Sequence, residues 1–162
     1  MKYLIIVLSV CALPALADVN IVGNVAAKCI IQTDTSGVYG NPTATKLSTA
    51  AADGGVLPIV RYDVAVANYY TARITHPTSF SSSPSLSDTV AWTGASSVAQ
   101  TSDAGMAAYD AAKVVYDSTT NFNLTIAGST WFKTSSTATY GVSKAFPGGS
   151  YTAIVQASCI AN

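Results

Sequence analysis

Charged residues are scarce in this chain of 162 residues, and their scarcity excludes several classes of function. The chain contains eight Lys and Arg, eight Asp, one His and no Glu. It has no basic patch of the kind that binds a nucleic-acid backbone. One His and a few scattered Cys do not provide the ligand spacing of a metal site. The composition therefore predicts no nucleic-acid partner, no metal and no cofactor.

Long apolar runs are absent except at the N-terminus, where the run is too short to cross a bilayer. Lys2 precedes an apolar stretch over residues 4–13, whereas a membrane-spanning helix needs about 20 such residues. Ala15 and Ala17 follow this stretch, and they are small residues of the kind that a signal peptidase accepts. The pattern predicts a secretory signal peptide over residues 1–17, cleaved between Ala17 and Asp18. The mature protein is expected to pass through the periplasm and to be secreted or held at the cell surface, without a membrane span.

Ser, Thr and Ala take the place of charged residues, with 19 Ser, 19 Thr and 26 Ala in the chain. Thr is favoured on strand faces and Ser in turns, and few residues here suit the charged surface of a helix. Seven or more short apolar stretches are separated by turn signals. This pattern predicts an all-β fold, an antiparallel immunoglobulin-like β-sandwich, as the single domain of residues 18–162.

The clearest strand signal is the alternation of side chains over residues 59–66, which resumes over residues 70–76. Because Asn68 tolerates a positive φ, the two stretches are predicted to form a hairpin. One short helical turn is predicted over residues 103–113, with Asp103 as its cap. Residues 33–55 are predicted to be mostly irregular. The other predicted strands are residues 19–31, 89–93, 114–116, 122–127, 130–133 and 151–160.

Two cysteines remain after the predicted cleavage, Cys29 and Cys159. An even number in an exported chain favours a disulfide. Cys29 lies near the start of the mature chain and Cys159 near its end. The pairing therefore predicts that the first and last strands are neighbours.

No motif assigns a catalytic residue. His76 is the only histidine and is predicted to be a surface or packed residue, since no G-x-S-x-G nucleophile elbow accompanies it. A small secreted hydrolase would need a pocket that converges on His76 or on two Asp residues. Four Asp residues lie beside Thr, Ser or Gly, and turns and helix caps are their expected role: Asp34, Asp53, Asp103 and Asp117. The loops of Asp34 and Asp53 lack the spacing of an EF-hand calcium site.

The aromatic residues support a second interpretation, a secreted carbohydrate- or surface-binding β-sandwich module. Core packing is the expected role of Trp92 and Trp131. Tyr69 and Tyr70 are adjacent, so in a strand they point to opposite faces and one of them is expected to point outward. An outward Tyr on a secreted domain indicates a contact surface.

Two segments resemble the pilin subunits of bacterial chaperone–usher fimbriae, including the spore-coat-U-like branch. The first is VNIVGNVAAKC (residues 19–29), an alternating strand that contains a Gly and leads into a Cys. The second is GGSYTAIVQASC (residues 148–159), a Gly turn followed by a terminal alternating strand. The resemblance implies an immunoglobulin-like sandwich that lacks one strand, with a groove filled by the N-terminal segment of the next subunit.

The resemblance thus implies a non-enzymatic structural or adhesive subunit of a bacterial surface appendage. Its partners would be other copies or related subunits of the filament and a periplasmic chaperone. The strand-addition segment would be an apolar row at every second position: Val19, Ile21, Gly23, Val25 and Ala27. Periodicity alone leaves open whether this row pairs with its own sheet or enters a neighbouring subunit.

Overall fold

The structure is a computed structural model that describes residues 28–141 and 144–162. The predicted cleavage site at Ala17 and Asp18 and the row from Val19 to Ala27 lie outside the described residues. The signal peptide and the course of the N-terminal segment therefore stay predictions.

The described residues form ten strands in two antiparallel sheets, which confirms the all-β sandwich. The first sheet contains β1, β2, β3, β4, β6 and β9, and the second contains β5, β7, β8 and β10. The strand bounds are β1 Cys29–Thr35, β2 Gly40–Thr43, β3 Lys46–Ser48, β4 Ile59–Val64, β5 Tyr70–Thr75, β6 Val90–Thr101, β7 Val114–Tyr116, β8 Thr119–Leu124, β9 Gly128–Tyr140 and β10 Gln156–Ala161.

Strand β9 organises the first sheet. Its first half pairs with β4 and its second half with β3, while β6 pairs along its other edge. β1 pairs with β4 and forms one edge of this sheet. The second sheet has the order β10-β5-β8-β7, so β10 and β7 are its edges.

The core between the sheets follows directly from the alternation of side chains. In β4, Val60, Tyr62 and Val64 are buried while the intervening side chains are half-buried on the outer face. Tyr62 meets Phe132 of β9 edge-on, with ring centroids 5.6 Å apart, and Phe132 packs on Phe122 of β8 at 4.3 Å. Aromatic rings from both sheets therefore hold the two layers together.

The predicted hairpin between β4 and β5 is wrong. Asn68 does adopt a left-handed conformation, with φ of 61°, but β4 pairs with β1 and β9, whereas β5 pairs with β8 and β10. The turn therefore carries the chain from one sheet to the other. Alternation identifies the buried face of a strand and leaves its pairing partner undetermined.

Two strands are much longer than predicted. Residues 89–93 were expected to be a short strand, but β6 has 12 residues, and β9 has 13 where residues 130–133 were predicted. Their inward positions include Ser96 and Thr134, whose hydroxyls are hydrogen-bonded to each other at 3.0 Å in the core. Because small polar residues occupy interior positions, the apolar alternation that marks a strand is interrupted there. Residues 33–55, predicted to be mostly irregular, contain β2 and β3.

The helical turn is confirmed. A 3-10 helix over Ala104–Ala108 leads into a short helix α1, Tyr109–Ala112. The Asp103 carboxylate accepts a hydrogen bond of 2.7 Å from the Gly105 amide, which is the predicted cap. No helix in residues 28–141 or 144–162 is long and apolar enough to cross a bilayer.

The disulfide between Cys29 and Cys159 is also confirmed. It joins β1 at the edge of the first sheet to β10 at the edge of the second, with Cα atoms 6.5 Å apart. The first and last described strands are thus neighbours across the sandwich, but they do not share backbone hydrogen bonds. The covalent link ties the sheets together along one side.

Tyr62→Phe tests the polar link between the sheets. The Tyr62 hydroxyl is buried and lies 3.2 Å from the carbonyl oxygens of Arg73 in β5 and Ser158 in β10. Burial raises the pKa of Tyr62, so the hydroxyl stays protonated and donates. We expect the variant to lose about 1–2 kcal/mol of unfolding free energy in chemical denaturation, because two carbonyls lose a donor. An unchanged denaturation midpoint would show that the hydrogen bonds of the Tyr62 hydroxyl contribute nothing to the free energy of unfolding.

Candidate functional site: a groove between two strand edges

A groove opens along the side of the sandwich where β1 and the chain before β10 face each other. One wall is the end of β1 and the segment after it, residues 33–39, and the other is residues 149–155. Thr49, Pro58 and Val60 contribute to its floor. The cavity volume is about 660 Å³, which lies within the range of ligand-binding clefts.

The wall before β10 has the shape of a strand without a sheet partner. Residues 151–160 were predicted to be one strand, but β10 begins only at Gln156. Before it, burial still alternates: Tyr151, Ala153 and Val155 are half-buried, while Thr152 and Ile154 are exposed. An extended chain with one apolar side therefore continues beyond the point where pairing with β5 ends.

Backbone groups in this wall are available to a partner. Thr152 forms an isolated bridge with Ser82. Between this bridge and Gln156, no backbone hydrogen bond within the described part of the chain involves residues 153–155. On the opposite wall, β1 pairs only with β4. Two strand edges thus border the groove, and unpaired edges are templates for another strand.

The inner surface of the groove combines seven Ser and Thr residues with aromatic and aliphatic side chains. The Tyr39 hydroxyl is hydrogen-bonded to Ser136 at 2.7 Å, and burial raises the pKa of Tyr39. The Tyr151 hydroxyl donates to the carbonyl oxygen of Pro147 at 2.6 Å. With these hydroxyls occupied, the rings present mainly apolar surface. Val38 at the rim is 53% exposed.

A cluster of six aromatic side chains adjoins the groove through Tyr39 and Tyr151. It fills the end of the sandwich where the first sheet extends beyond the second. Phe80 is its centre and lies 4.7 Å from Trp92 and 5.0 Å from Tyr151, measured between ring centroids. The cluster consists of Tyr39, Phe80, Trp92, Tyr140, Phe146 and Tyr151.

The main core is incompletely covered beside the groove. Val155, in the groove wall, packs against the buried core but remains partly accessible. Additional apolar side chains placed in the groove would bury it further, and burial of apolar area is worth about 25 cal/mol per Å².

The described chain begins at the disulfide end of β1. Lys28 lies beside Cys29 and the disulfide, whereas the groove begins at Thr33. At about 3.3 Å per residue, these points are separated by roughly 13–17 Å along the strand.

His76 lines a depression of about 240 Å³ with Ser79 and Ser81, and none of the side-chain hydrogen bonds among the described residues involves its imidazole. The residue follows β5, and its imidazole packs so closely on Gly94 that a Cβ there would lie 2.6 Å from the ring. Burial lowers the pKa of His76, with no contribution from a neighbouring charge. In the described residues, no group of three His, Cys, Asp or Glu side chains could hold a metal ion.

The Asp residues have structural roles, although one differs from its prediction. Asp117 lies in the β7–β8 turn with φ of 49°, and Asp53 forms an ion pair of 2.7 Å with Lys46. Asp34 was expected in a turn but lies in β1, where it accepts a hydrogen bond of 3.2 Å from the indole of Trp131.

The two tryptophans divide between core and surface. Trp92 packs in the aromatic cluster, as expected, whereas Trp131 lies on the outer face of β9 beneath the Arg61 guanidinium, 5.1 Å from its ring centroid. Tyr69 and Tyr70 were expected on opposite faces of a strand, but β5 begins only at Tyr70 and the two rings meet edge-on with centroids 4.8 Å apart. Tyr69 is exposed, at 43%. The most exposed aromatic described is Tyr116 of β7, at 75%.

Compared with known proteins, the chain matches no family model, no curated protein sequence and no solved structure.

Proposed function

We propose that this protein is a non-enzymatic structural subunit of a bacterial surface appendage, assembled by strand addition between copies or related subunits. The groove bordered by two strand edges carries the proposal, because it provides both backbone partners and an apolar floor for an inserted strand. A peptide that adds to a sheet edge gains affinity from main-chain hydrogen bonds and specificity from pockets for alternate side chains.

The inserted strand is the N-terminal segment of a neighbouring subunit. Wall residues 151–155 span about 17 Å at the usual rise of a strand, so the groove holds a strand of about five residues. Three alternate positions of such a strand face inward, which matches the side chains of Val19 and Ile21 followed by Gly23. The Gly suits a position where another backbone approaches closely.

The exit direction of the segment favours exchange between subunits. Because Lys28 lies at the disulfide end, a segment that continues away from β1 reaches another molecule more directly than its own groove. The incomplete side of the sandwich is consistent with the immunoglobulin-like fold lacking one strand that the pilin resemblance implies. Export through the periplasm, with a chaperone that covers the groove before assembly, completes the proposal.

Ile21→Asp tests the donor role. We expect it to block filament formation, because it places a charge in a groove whose described lining includes no Lys or Arg, while the domain keeps its unfolding temperature. Assembly is followed by electron microscopy and by sedimentation of the secreted protein. Asn20→Asp is the matched control, since residue 20 points to the opposite side of the strand and should assemble normally.

Deletion of residues 18–24 separates the two roles of the segment. If it acts as a donor, the shortened protein folds with a similar melting temperature and does not assemble. If the shortened domain unfolds, the segment is a strand of its own sheet and the donor role is contradicted.

A further inference from the structure

The outer face of the second sheet differs from the rest of the surface in its charge. Strands β5, β7, β8 and β10 contain no Asp or Glu, and Arg73 is their only charged residue. In the first sheet, by comparison, Arg61 is paired with Asp63 at 2.7 Å. None of the ion pairs among the described residues includes Arg73. The face therefore presents one exposed guanidinium that forms no ion pair, and the acidic residue at its edge is Asp117 in the β7–β8 turn.

The amide oxygens beside Arg73 accept hydrogen bonds. The Asn121 carbonyl oxygen accepts a hydrogen bond of 3.3 Å from Arg73 Nε. The Asn123 carbonyl oxygen accepts one of 3.5 Å from Asn162, which also accepts one of 2.7 Å from Thr71. Because these bonds occupy the amide oxygens of Asn121 and Asn123, their NH₂ groups and the terminal nitrogens of Arg73 stay available. The face is rich in donors, which suits a ligand rich in acceptors.

Apolar side chains flank the donors. Residues of β5, β7, β8 and β10 line a shallow depression of about 420 Å³, with Val114 on one side and Ile160 on the other. Val114 is 63% exposed. Tyr116 lies on the same face as Val114, two residues further along β7, because alternate residues share a face. The combination of an exposed ring with hydrogen-bond donors is typical of surfaces that bind amphipathic ligands.

We propose that this face binds an acidic saccharide, a sugar chain containing uronic acid residues. Arg73 pairs with the sugar carboxylate, and the amides of Asn121 and Asn123 donate to ring and hydroxyl oxygens. Tyr116 stacks on a neighbouring pyranose ring. The proposal does not depend on strand-mediated assembly, since the depression lies on the outer face of the sheet and shares no residue with the groove.

The spacing of these groups suits two or three sugar units. Arg73 pairs with Asn121, and Tyr116 pairs with Thr119 at the β8 position two residues away. Two strand spacings of about 4.8 Å and two residues of about 3.4 Å separate Arg73 from Tyr116, which gives roughly 12 Å between their Cα atoms. An extended oligosaccharide can therefore contact the guanidinium and the ring at once.

The test is titration calorimetry of the secreted protein at 150 mM salt with two probes, trigalacturonic acid and its methyl ester. The ester keeps the sugar rings and removes the negative charges. We expect the acid to bind and the ester to bind at least tenfold more weakly. Arg73→Gln should weaken binding of the acid at least tenfold, because a charged pair is stronger than a neutral hydrogen bond.

Two control variants complete the test. Lys133→Gln removes a cation from β9, in the other sheet, and should leave the affinity unchanged. Tyr116→Ala should weaken binding several-fold while Tyr116→Phe does not, because stacking uses the ring. If Lys133→Gln weakened binding as much as Arg73→Gln does, the effect would be one of net charge, and the proposal would be overturned. Absence of binding to the acid, or Arg73-dependent binding to phosphatidylserine vesicles instead, would also overturn it.

Discussion

Replacing Cys29 and Cys159 with Ala is expected to lower the free energy of unfolding by about 4–5 kcal/mol. The two residues are 130 positions apart, so the disulfide restricts nearly the whole mature chain in the unfolded state. On the chain-entropy model, a loop of roughly this length is worth the quoted amount at 25 °C, and removing native bridges commonly costs 2–5 kcal/mol. The loss is large beside the 5–15 kcal/mol that stabilises a typical domain.

The position of the bond adds a native-state consequence. Because it connects β1 to β10, its loss removes the covalent link between the two sheets. Chemical denaturation of the double variant measures the effect, and the oxidised and reduced natural protein are compared in parallel. Mass spectrometry of the secreted protein should show its mass lower than that of the dithiol form by two hydrogen atoms. A stability loss below 1 kcal/mol would contradict this account of the disulfide.

Ala153→Arg is expected to abolish assembly while leaving the domain folded. Ala153 is half-buried and lies in the groove between Tyr151 and Val155. A long cationic side chain there occupies the space of an incoming strand, and its charged end can still reach water. We expect loss of sedimenting filaments, with a change of unfolding free energy of about 1 kcal/mol or less.

Gln156→Arg is the matched control for this variant. Gln156 is the first residue of β10, is exposed and does not line the groove. The same side chain is therefore introduced without blocking the groove, and assembly should be retained. If both variants assemble like the natural protein, the groove does not receive a strand.

The sequence predicted the elements in which polar and apolar residues alternate. β4 was identified by this alternation. The helical turn was identified by its Asp103 cap, and the disulfide by the even number of cysteines. The sheet partners were not, because the turn at Asn68 could equally close a hairpin or pass between sheets. β9 was largely missed, since its inward positions include Thr134 and Ser136, whose hydroxyls are hydrogen-bonded to those of Ser96 and Tyr39.

The groove was beyond the reach of the sequence for a different reason. The alternation of Tyr151, Ala153 and Val155 correctly indicated an extended chain with one apolar side. Whether that chain has a neighbouring strand depends on where β1 and β10 end relative to each other. Local periodicity does not predict this. The donor-rich face around Arg73 was missed too, because it arises when β5 and β8 bring Arg73 beside Asn121.

The most direct test of strand exchange is a cross-link between donor and groove. Ile21→Cys combined with Ala153→Cys places one new thiol on the N-terminal segment and one in the groove. Mild oxidation of the secreted double variant should give a ladder of covalent multimers on a non-reducing gel. The pairing of Asn20→Cys with Ala153→Cys should give none, because residue 20 faces away. A cross-linked monomer without a ladder would show that the segment fills its own groove, and would contradict the proposed assembly.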